Sequence, residues 1–226
     1  MNPAESRLSV EWLGRVPYAA GLELQAKAVE ARRNGVAGDR LLLLEHPPVI
    51  TLGRSAQEAN LLLSREALAE RQIEVHEVPR GGDVTYHGPG QLVGYLVVDL
   101  KARGEPDVHR FLRRTEDALI ESLDGFGLRA CSVPGRTGVF VPPDAGGAET
   151  PSRKIASIGI GLQHWITFHG FALNVTLDLA GFQAIVPCGL ADVTMTSVAR
   201  ELARGPLGLD AWSRERVGAS FSRAFA

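Results

Sequence analysis

Two apolar segments that only a sheet interior can bury constrain the fold of this chain most. "QLVGYLVVDL", residues 91–100, is apolar on both faces and predicts a central strand. "DRLLLLEH", residues 39–46, predicts a second buried strand that ends at Pro47-Pro48. Further strands are predicted at 73–78, 128–133, 138–141, 154–161 and 171–177. A sheet must therefore form the centre of the fold.

Several segments predict helices that would flank this sheet. Residues 16–35 and 107–125 each have a helical pattern that ends at a glycine. Ser64 is predicted to cap a short helix, and Asp210 to cap a C-terminal helix in which Val217, Phe221 and Phe225 share one face. Strands and helices are interspersed without regular alternation. This order favours an α+β fold, a mixed β-sheet flanked by helices, over a doubly wound parallel sheet.

Composition limits the classes of protein that remain. A length of 226 residues suits a single domain spanning 1–226. The net charge of -2 argues against a dedicated nucleic-acid binder. The first residues show no secretory signal, and no apolar run approaches the roughly 20 residues of a membrane span, so a cytoplasmic location with reduced thiols is predicted. Two cysteines and six histidines in no metal-binding spacing give no reason to expect a metal site.

The stretch "RGGDVTYHGPGQ", residues 80–91, is the first candidate ligand site. It is predicted to be a loop about twice as long as a hairpin turn. Its glycines would let the backbone approach a ligand, and its polar side chains would give specificity. The stretch contains neither G-x-G-x-x-G nor a P-loop lysine, so it does not predict a nucleotide site. A plain hairpin loop is the structural alternative.

The second candidate is Cys188 in "AIVPCGL", residues 184–190. Pro187 stiffens the approach to the cysteine, and Gly189 leaves the next amide accessible, where it can help to stabilise an oxyanion. A buried, inert thiol is the alternative, and Cys131, in an apparent strand, is assigned to that class. A nucleophilic Cys188 requires a nearby proton acceptor or cation.

Lys154 is the lysine that fits this requirement. The chain has three lysines, and Lys27 and Lys101 occupy positions typical of solvated side chains. Lys154 instead opens the apolar strand "KIASIGIG", where a partly buried amine can act as a base. A solvent-exposed strand end is the alternative for Lys154. His87 or His169 remains the rival base, as in a cysteine hydrolase, because spacing along the chain does not show which groups meet in space.

Five stretches together resemble the lipoyl(octanoyl) transferase family: "EHPPVITLGR", "RGGDVTYHGPGQLVGY", "RKIASIGIG", "FHGFALNV" and "IVPCGL". The resemblance extends from about residue 41 to residue 198. It implies a fold shared with biotin protein ligases and lipoate ligases. It also implies transfer of an octanoyl group from octanoyl-acyl carrier protein to a lysine of a lipoyl domain, as in 2-oxoacid dehydrogenase complexes and the glycine cleavage H protein. No cofactor, nucleic acid or membrane is implied.

The same resemblance assigns roles to individual residues. Cys188 corresponds to the acyl-thioester nucleophile, and Lys154 to the group that lowers the pKa of that thiol and exchanges protons with it. Substrate contacts are implied for Arg80, Gly81, Gly82, Asp83, Val84, Thr85, Tyr86, His87, Ser157, Ile158, Gly159, Gly170, Phe171 and Ala172. The acyl chain is expected along Ala156, Ile158 and Ala172, since Ala156 and Ile158 alternate on one strand.

Two other kinds of protein with this fold stay open at this stage. An ATP-dependent lipoate or biotin ligase would keep the lysine but would have no use for Cys188. A non-catalytic module that binds a carrier protein or lipid would need neither residue. The chain departs from the family pattern in a Gly-Gly-Ala-Glu-Thr insertion within 142–152 and at Met195-Thr196.

Overall fold

The computed structural model describes residues 7–143, 153–187, 193–203 and 209–226, with side chains from residue 213 in the last range. In chain order the strands and helices are β1 (Ser9–Arg15), α1 (Tyr18–Arg33), β2 (Arg40–Glu45), β3 (Val49–Leu52), α2 (Arg65–Glu70), β4 (Glu74–Glu77), β5 (Val84–His87), β6 (Gln91–Val97), α3 (Val108–Asp124), β7 (Cys131–Val133), β8 (Arg136–Val141), β9 (Arg153–Gln163), β10 (Ile166–Asn174), β11 (Thr194–Met195), α4 (Val198–Glu201) and α5 (Leu209–Ala224).

A mixed sheet organises the fold. Within the described residues its strands follow the order β1-β2-β6-β10-β9-β8-β7, and β11 pairs with β9. The β1–β2 and β11–β9 pairs are parallel, and the pairs between β2 and β7 are antiparallel. The predicted central strand is β6, buried along its whole length between β2 and β10. The α+β prediction with a mixed sheet is therefore confirmed.

A second, smaller sheet corrects the prediction of a long loop at 80–91. Residues Val84–His87 form β5, which pairs with β3 in the order β4-β3-β5. Val84 and Tyr86 pack into an apolar cluster with Phe182, and this burial stabilises an extended segment. Glycine remains necessary at the ends of the stretch, where Gly82 and Gly90 both have φ +84°. The sequence analysis also missed β1 and β3.

The predicted helices are present, with one correction. Asp107 caps α3 by accepting from the Arg110 amide at 3.0 Å, and Ser64 caps α2 by accepting from the Ala67 amide at 3.2 Å. Val217, Phe221 and Phe225 are fully buried on one face of α5, as predicted. The prediction that Asp210 caps this helix is wrong, because α5 begins one residue earlier, at Leu209.

The two faces of the large sheet have different coverings. On one face, α3 and α5 pack over the main apolar core, which includes Leu43, Leu96 and Phe171. Alternate residues such as Leu44, Val93 and Ala172 point to the other face, where α1 packs. Across the described ranges, no helix combines the length and apolar character that crossing a membrane requires.

Candidate active site

A cavity of about 220 Å³ lies where β9 and β10 meet the segment 80–87 and the start of β8. Lys154 lines it. The implied contact residues that also line it are Arg80, Gly82, Asp83, Val84, Thr85, His87, Ser157, Ile158, Gly159, Gly170, Phe171 and Ala172. The β9–β10 pairing brings several of them together, since Ser157 pairs with Ala172 and Gly159 with Gly170. Stretches that are far apart in the sequence thus converge on one cavity.

Three residues expected at this cavity lie outside its lining. The Gly81 amide donates to the Ile160 carbonyl at 2.7 Å and so joins the segment to β9. Tyr86 packs its ring 5.7 Å from Phe182, because neighbouring strand residues point to opposite faces. Ala156 is fully buried and does not line the cavity, so the prediction that it shares the acyl wall with Ile158 is wrong.

Lys154 is buried, with only 3% of its surface exposed. Its Nζ donates to the Thr137 carbonyl at 3.0 Å and lies 5.5 Å from the centre of the Phe140 ring. Strand pairing fixes its position, because Lys154 lies opposite Phe140 on β8 and opposite Met195 on β11. The alternative of a lysine extending into solvent is therefore excluded.

His87 lies in the same cavity but is held by other partners. Its Nδ1 is 2.7 Å from Gln91 Oε1, and its Nε2 is 3.5 Å from Thr51 Oγ1. Burial, followed by the nearby His46, lowers the pKa of His87 to about 3. The ring is consequently neutral at pH 7, and its Nδ1 is already engaged with a side chain that fixes its orientation.

His169 reaches the cavity through an unusual backbone conformation. Its φ of 58° is in the left-handed region, and its amide donates to Gln25 Oε1 on α1 at 2.7 Å. The ring contacts Tyr95 with 6.1 Å between centroids, and its buried Nε2 has no hydrogen-bond partner within the described part of the chain. Burial, followed by the charge of Arg80, lowers the pKa of His169 to about 3.

Sequence reasoning missed an aromatic group at one end of the cavity. Tyr18 and Tyr95 both line it, and His46 lies behind them, with Nε2 2.8 Å from the Tyr95 hydroxyl and Nδ1 2.7 Å from the Val16 carbonyl. Burial raises the pKa of Tyr18 to about 12 and lowers that of His46 to about 4. Of these three residues, Tyr95 and His46 lie in stretches that carry the family resemblance, Tyr95 as the last residue of "GQLVGY" and His46 in "EHPPVITLGR".

The Arg80 guanidinium binds β3 and its own segment at the edge of the cavity. Nη2 donates to the carbonyl and hydroxyl of Thr51 at 2.7 and 2.8 Å, and Nη1 donates to the Gly81 carbonyl at 3.0 Å. A planar fork of donors is needed to make these bonds together. Arg80 therefore shapes the cavity through the backbone of β3 and the 80–87 segment.

Replacing Arg80 with lysine is expected to lower the free energy of unfolding by about 2 kcal/mol, because an ammonium reaches fewer of these buried acceptors. Urea unfolding measures the change. Arg54→Lys is the matched control, since Arg54 is exposed two residues after β3, and it should shift the free energy by less than about 0.5 kcal/mol. Equal effects of the two substitutions would contradict this role of Arg80.

Cys188 lies outside the described residues, as does 144–152, which holds the Gly-Gly-Ala-Glu-Thr insertion. The described chain on both sides of Cys188 is hydrogen-bonded, directly or through Asn60, to residues that line the cavity. Before it, the Val186 amide donates to the Asn60 carbonyl at 2.8 Å, and Asn60 Nδ2 donates to the carboxylate of Asp83. After it, the Thr196 amide donates to the Lys154 carbonyl at 2.9 Å.

Comparison with known proteins adds a family to this geometry. A model described as the lipoyl protein ligase A/B catalytic domain matches residues 17–226. The chain belongs to this family. An octanoyltransferase of Acidobacterium capsulatum is 49% identical over 224 residues, which cover 96% of this chain and 88% of the relative. An octanoyltransferase of Solibacter usitatus is 47% identical over 214 residues, which cover 95% and 89%. The predicted resemblance to lipoyl(octanoyl) transferases, and with it the prediction of an enzyme, is confirmed.

Solved structures of lipoate protein ligases share the fold. A bipartite lipoate protein ligase from Thermoplasma acidophilum matches with a TM-score of 0.70 and 20% identity over 97% of this chain and 83% of that one. A lipoate-protein ligase A bound with ATP matches with a TM-score of 0.69 and 18% identity, covering 97% and 85%. At these identities the likeness concerns the fold alone.

Proposed function

We propose that this enzyme moves an octanoyl group from octanoyl-acyl carrier protein to a lysine of a lipoyl domain through a thioester on Cys188. The observation that carries the proposal is the burial of Lys154 in the cavity wall, beside the strand that follows Cys188. The octanoyltransferase relatives support octanoyl transfer in protein lipoylation. One catalytic domain over 1–226 and a cytoplasmic location remain predictions.

The proposed reaction has two balanced steps. In the first, the Cys188 sulfur attacks the thioester carbonyl of the donor, and the bond from that carbonyl to the pantetheine sulfur breaks. Lys154 accepts the Cys188 proton and returns it to the departing thiol. In the second step the acceptor lysine amine attacks the acyl-enzyme, the bond from the acyl carbonyl to the Cys188 sulfur breaks, and the proton lost by the amine passes through Lys154 to the departing Cys188 thiolate. Thioester exchange is nearly balanced and amide formation is downhill, so no ATP is required.

The cavity suits an extended acyl chain. Lys154 and Gly159 both line the cavity and lie five positions apart on β9, which is about 16 Å along the strand. Seven carbon–carbon bonds of about 1.5 Å extend to roughly 9 Å, so an octanoyl chain fits along this wall. Two glycines allow neighbouring backbone to approach this wall closely: a Cβ at Gly159 would lie 2.8 Å from the Gly81 carbonyl oxygen, and one at Gly170 would lie 2.2 Å from that of Gly94.

Incubation with octanoyl-acyl carrier protein in the absence of ATP tests the proposal. We expect intact-mass spectrometry to show one octanoyl adduct, peptide mapping to place it on Cys188, and added lipoyl domain to remove it. Cys131→Ala is the matched control and should acylate normally, whereas Cys188→Ala should not acylate. An adduct that requires ATP would point to the ligase alternative, and an adduct that persists in Cys188→Ala would exclude Cys188 as the nucleophile.

A further inference from the structure

Glu116 on α3 is a buried carboxylate that the proposed reaction does not use. It is 1% exposed, although α3 also carries exposed acidic residues such as Asp117. Its Oε2 pairs with Arg113 Nη1, and its Oε1 accepts from the Gly138 amide at 3.0 Å. A carboxylate buried to this degree is costly without such partners. Glu116 therefore holds one specific backbone amide of β8.

That amide belongs to the same peptide group that holds the catalytic lysine. The peptide between residues 137 and 138 carries both the Gly138 N–H and the Thr137 carbonyl. The N–H donates to Glu116 at 3.0 Å, and the carbonyl accepts from Lys154 Nζ at 3.0 Å. Because a peptide group is planar and trans, fixing the direction of its N–H also fixes the direction of its carbonyl.

Gly138 also contacts the Lys154 side chain directly. Its φ is +126°, a conformation that favours glycine. A Cβ at this position would lie 2.7 Å from Lys154 Cε and 2.6 Å from the Ala156 carbonyl oxygen. The peptide therefore lies close to the lysine stem and also accepts a hydrogen bond from its amine. A change in the peptide plane would displace Nζ.

We propose that Glu116 is a positioning residue that orients Lys154 through the Thr137–Gly138 peptide. The inference rests on the proposed function, since it assumes that Lys154 exchanges protons with Cys188. The carboxylate fixes the peptide plane. Its negative charge also polarises the peptide, and this strengthens the hydrogen bond from the Lys154 amine to the Thr137 carbonyl. Glu116 does not line the cavity, so it acts on the reaction only through this peptide.

Three variants test the inference. Glu116→Ala removes the acceptor and the charge, and we expect the rate of Cys188 acylation to fall about 10- to 100-fold, as for loss of a hydrogen bond to a charged group. Glu116→Gln keeps an oxygen that can accept from the Gly138 amide but removes the charge, so it should restore part of the rate. Glu121→Gln is the matched control, because Glu121 is on the same helix but is half-exposed and pairs with Arg223.

The pH–rate profile separates positioning from a general structural effect. In Glu116→Gln the rising limb should move to lower pH, because loss of the carboxylate weakens the stabilisation of the lysine ammonium. The other charged or titratable groups that line the cavity are unchanged in all three variants: Arg80, Asp83, Arg136, Tyr18, His87, Tyr95 and His169. Affinity for octanoyl-acyl carrier protein should stay within about twofold of the unmodified enzyme, since no substrate contact is altered.

Each result decides between the alternatives. A folded Glu116→Gln variant with the rate and pH profile of Glu121→Gln would overturn the positioning role, whether or not Glu116→Ala folds. A shifted profile with retained affinity supports it. If the unmodified enzyme forms no adduct on Cys188, the proposed function fails first, and this separates its failure from failure of the inference about Glu116.

Discussion

Replacing Lys154 with methionine is expected to lower the rate of octanoyl transfer by about 10²- to 10⁴-fold, the usual contribution of a positioned acid–base group. Methionine keeps an unbranched apolar stem but cannot donate to the Thr137 carbonyl or carry a proton. Because Lys154 is only 3% exposed, solvent cannot easily replace its amine. Single-turnover acylation of Cys188 and multiple-turnover transfer to a lipoyl domain measure the loss.

Lys101→Met is the matched control for this substitution. Lys101 is exposed and does not line the cavity, so transfer should proceed at the unmodified rate. Unfolding midpoints of both variants show whether the fold is kept. A folded Lys154→Met variant with unchanged acylation would remove Lys154 from the mechanism and return His87 to candidacy as the base.

Acidification from pH 7.5 to 5.5 is expected to lower the free energy of unfolding by about 4 kcal/mol. His46, His87 and His169 are buried and neutral, with pKa values lowered to about 4, 3 and 3 mainly by burial. In the unfolded chain each histidine takes up a proton below about pH 6.5, which favours unfolding by roughly 1.3 kcal/mol per residue at pH 5.5. The stabilisation is present above about pH 6.5 and is lost as the pH falls towards the folded pKa values.

Urea unfolding at pH 7.5, 6.5 and 5.5 measures this dependence. His87→Gln should reduce the difference in free energy between pH 7.5 and 5.5 by about 1.3 kcal/mol, because one proton fewer is taken up on unfolding. Equal unfolding free energies at pH 7.5 and 5.5 would show that the three buried rings are not neutral in the folded enzyme.

The sequence located most of the cavity lining but described its backbone incorrectly. The glycines and polar side chains of 80–91 indicated a ligand site, and most of the implied contacts line the cavity. The extended state of Val84–His87 was missed because its partner strand, Val49–Leu52, follows two prolines and was not itself recognised. A short strand is stabilised by pairing and burial, and neither is visible in the segment alone.

The sequence by itself predicted the residues that we propose carry the chemistry, since a lysine in an apolar strand is exceptional wherever that strand lies. It also determined the α+β class, because buried strands and amphipathic helices follow from local periodicity. Only the tertiary structure decided which groups surround Lys154. Tyr18 and His46 reach the site from α1 and the end of β2, and Glu116 acts through the Thr137–Gly138 peptide from α3. Such contacts depend on how distant segments pack, and the spacing of residues along a chain does not encode that directly.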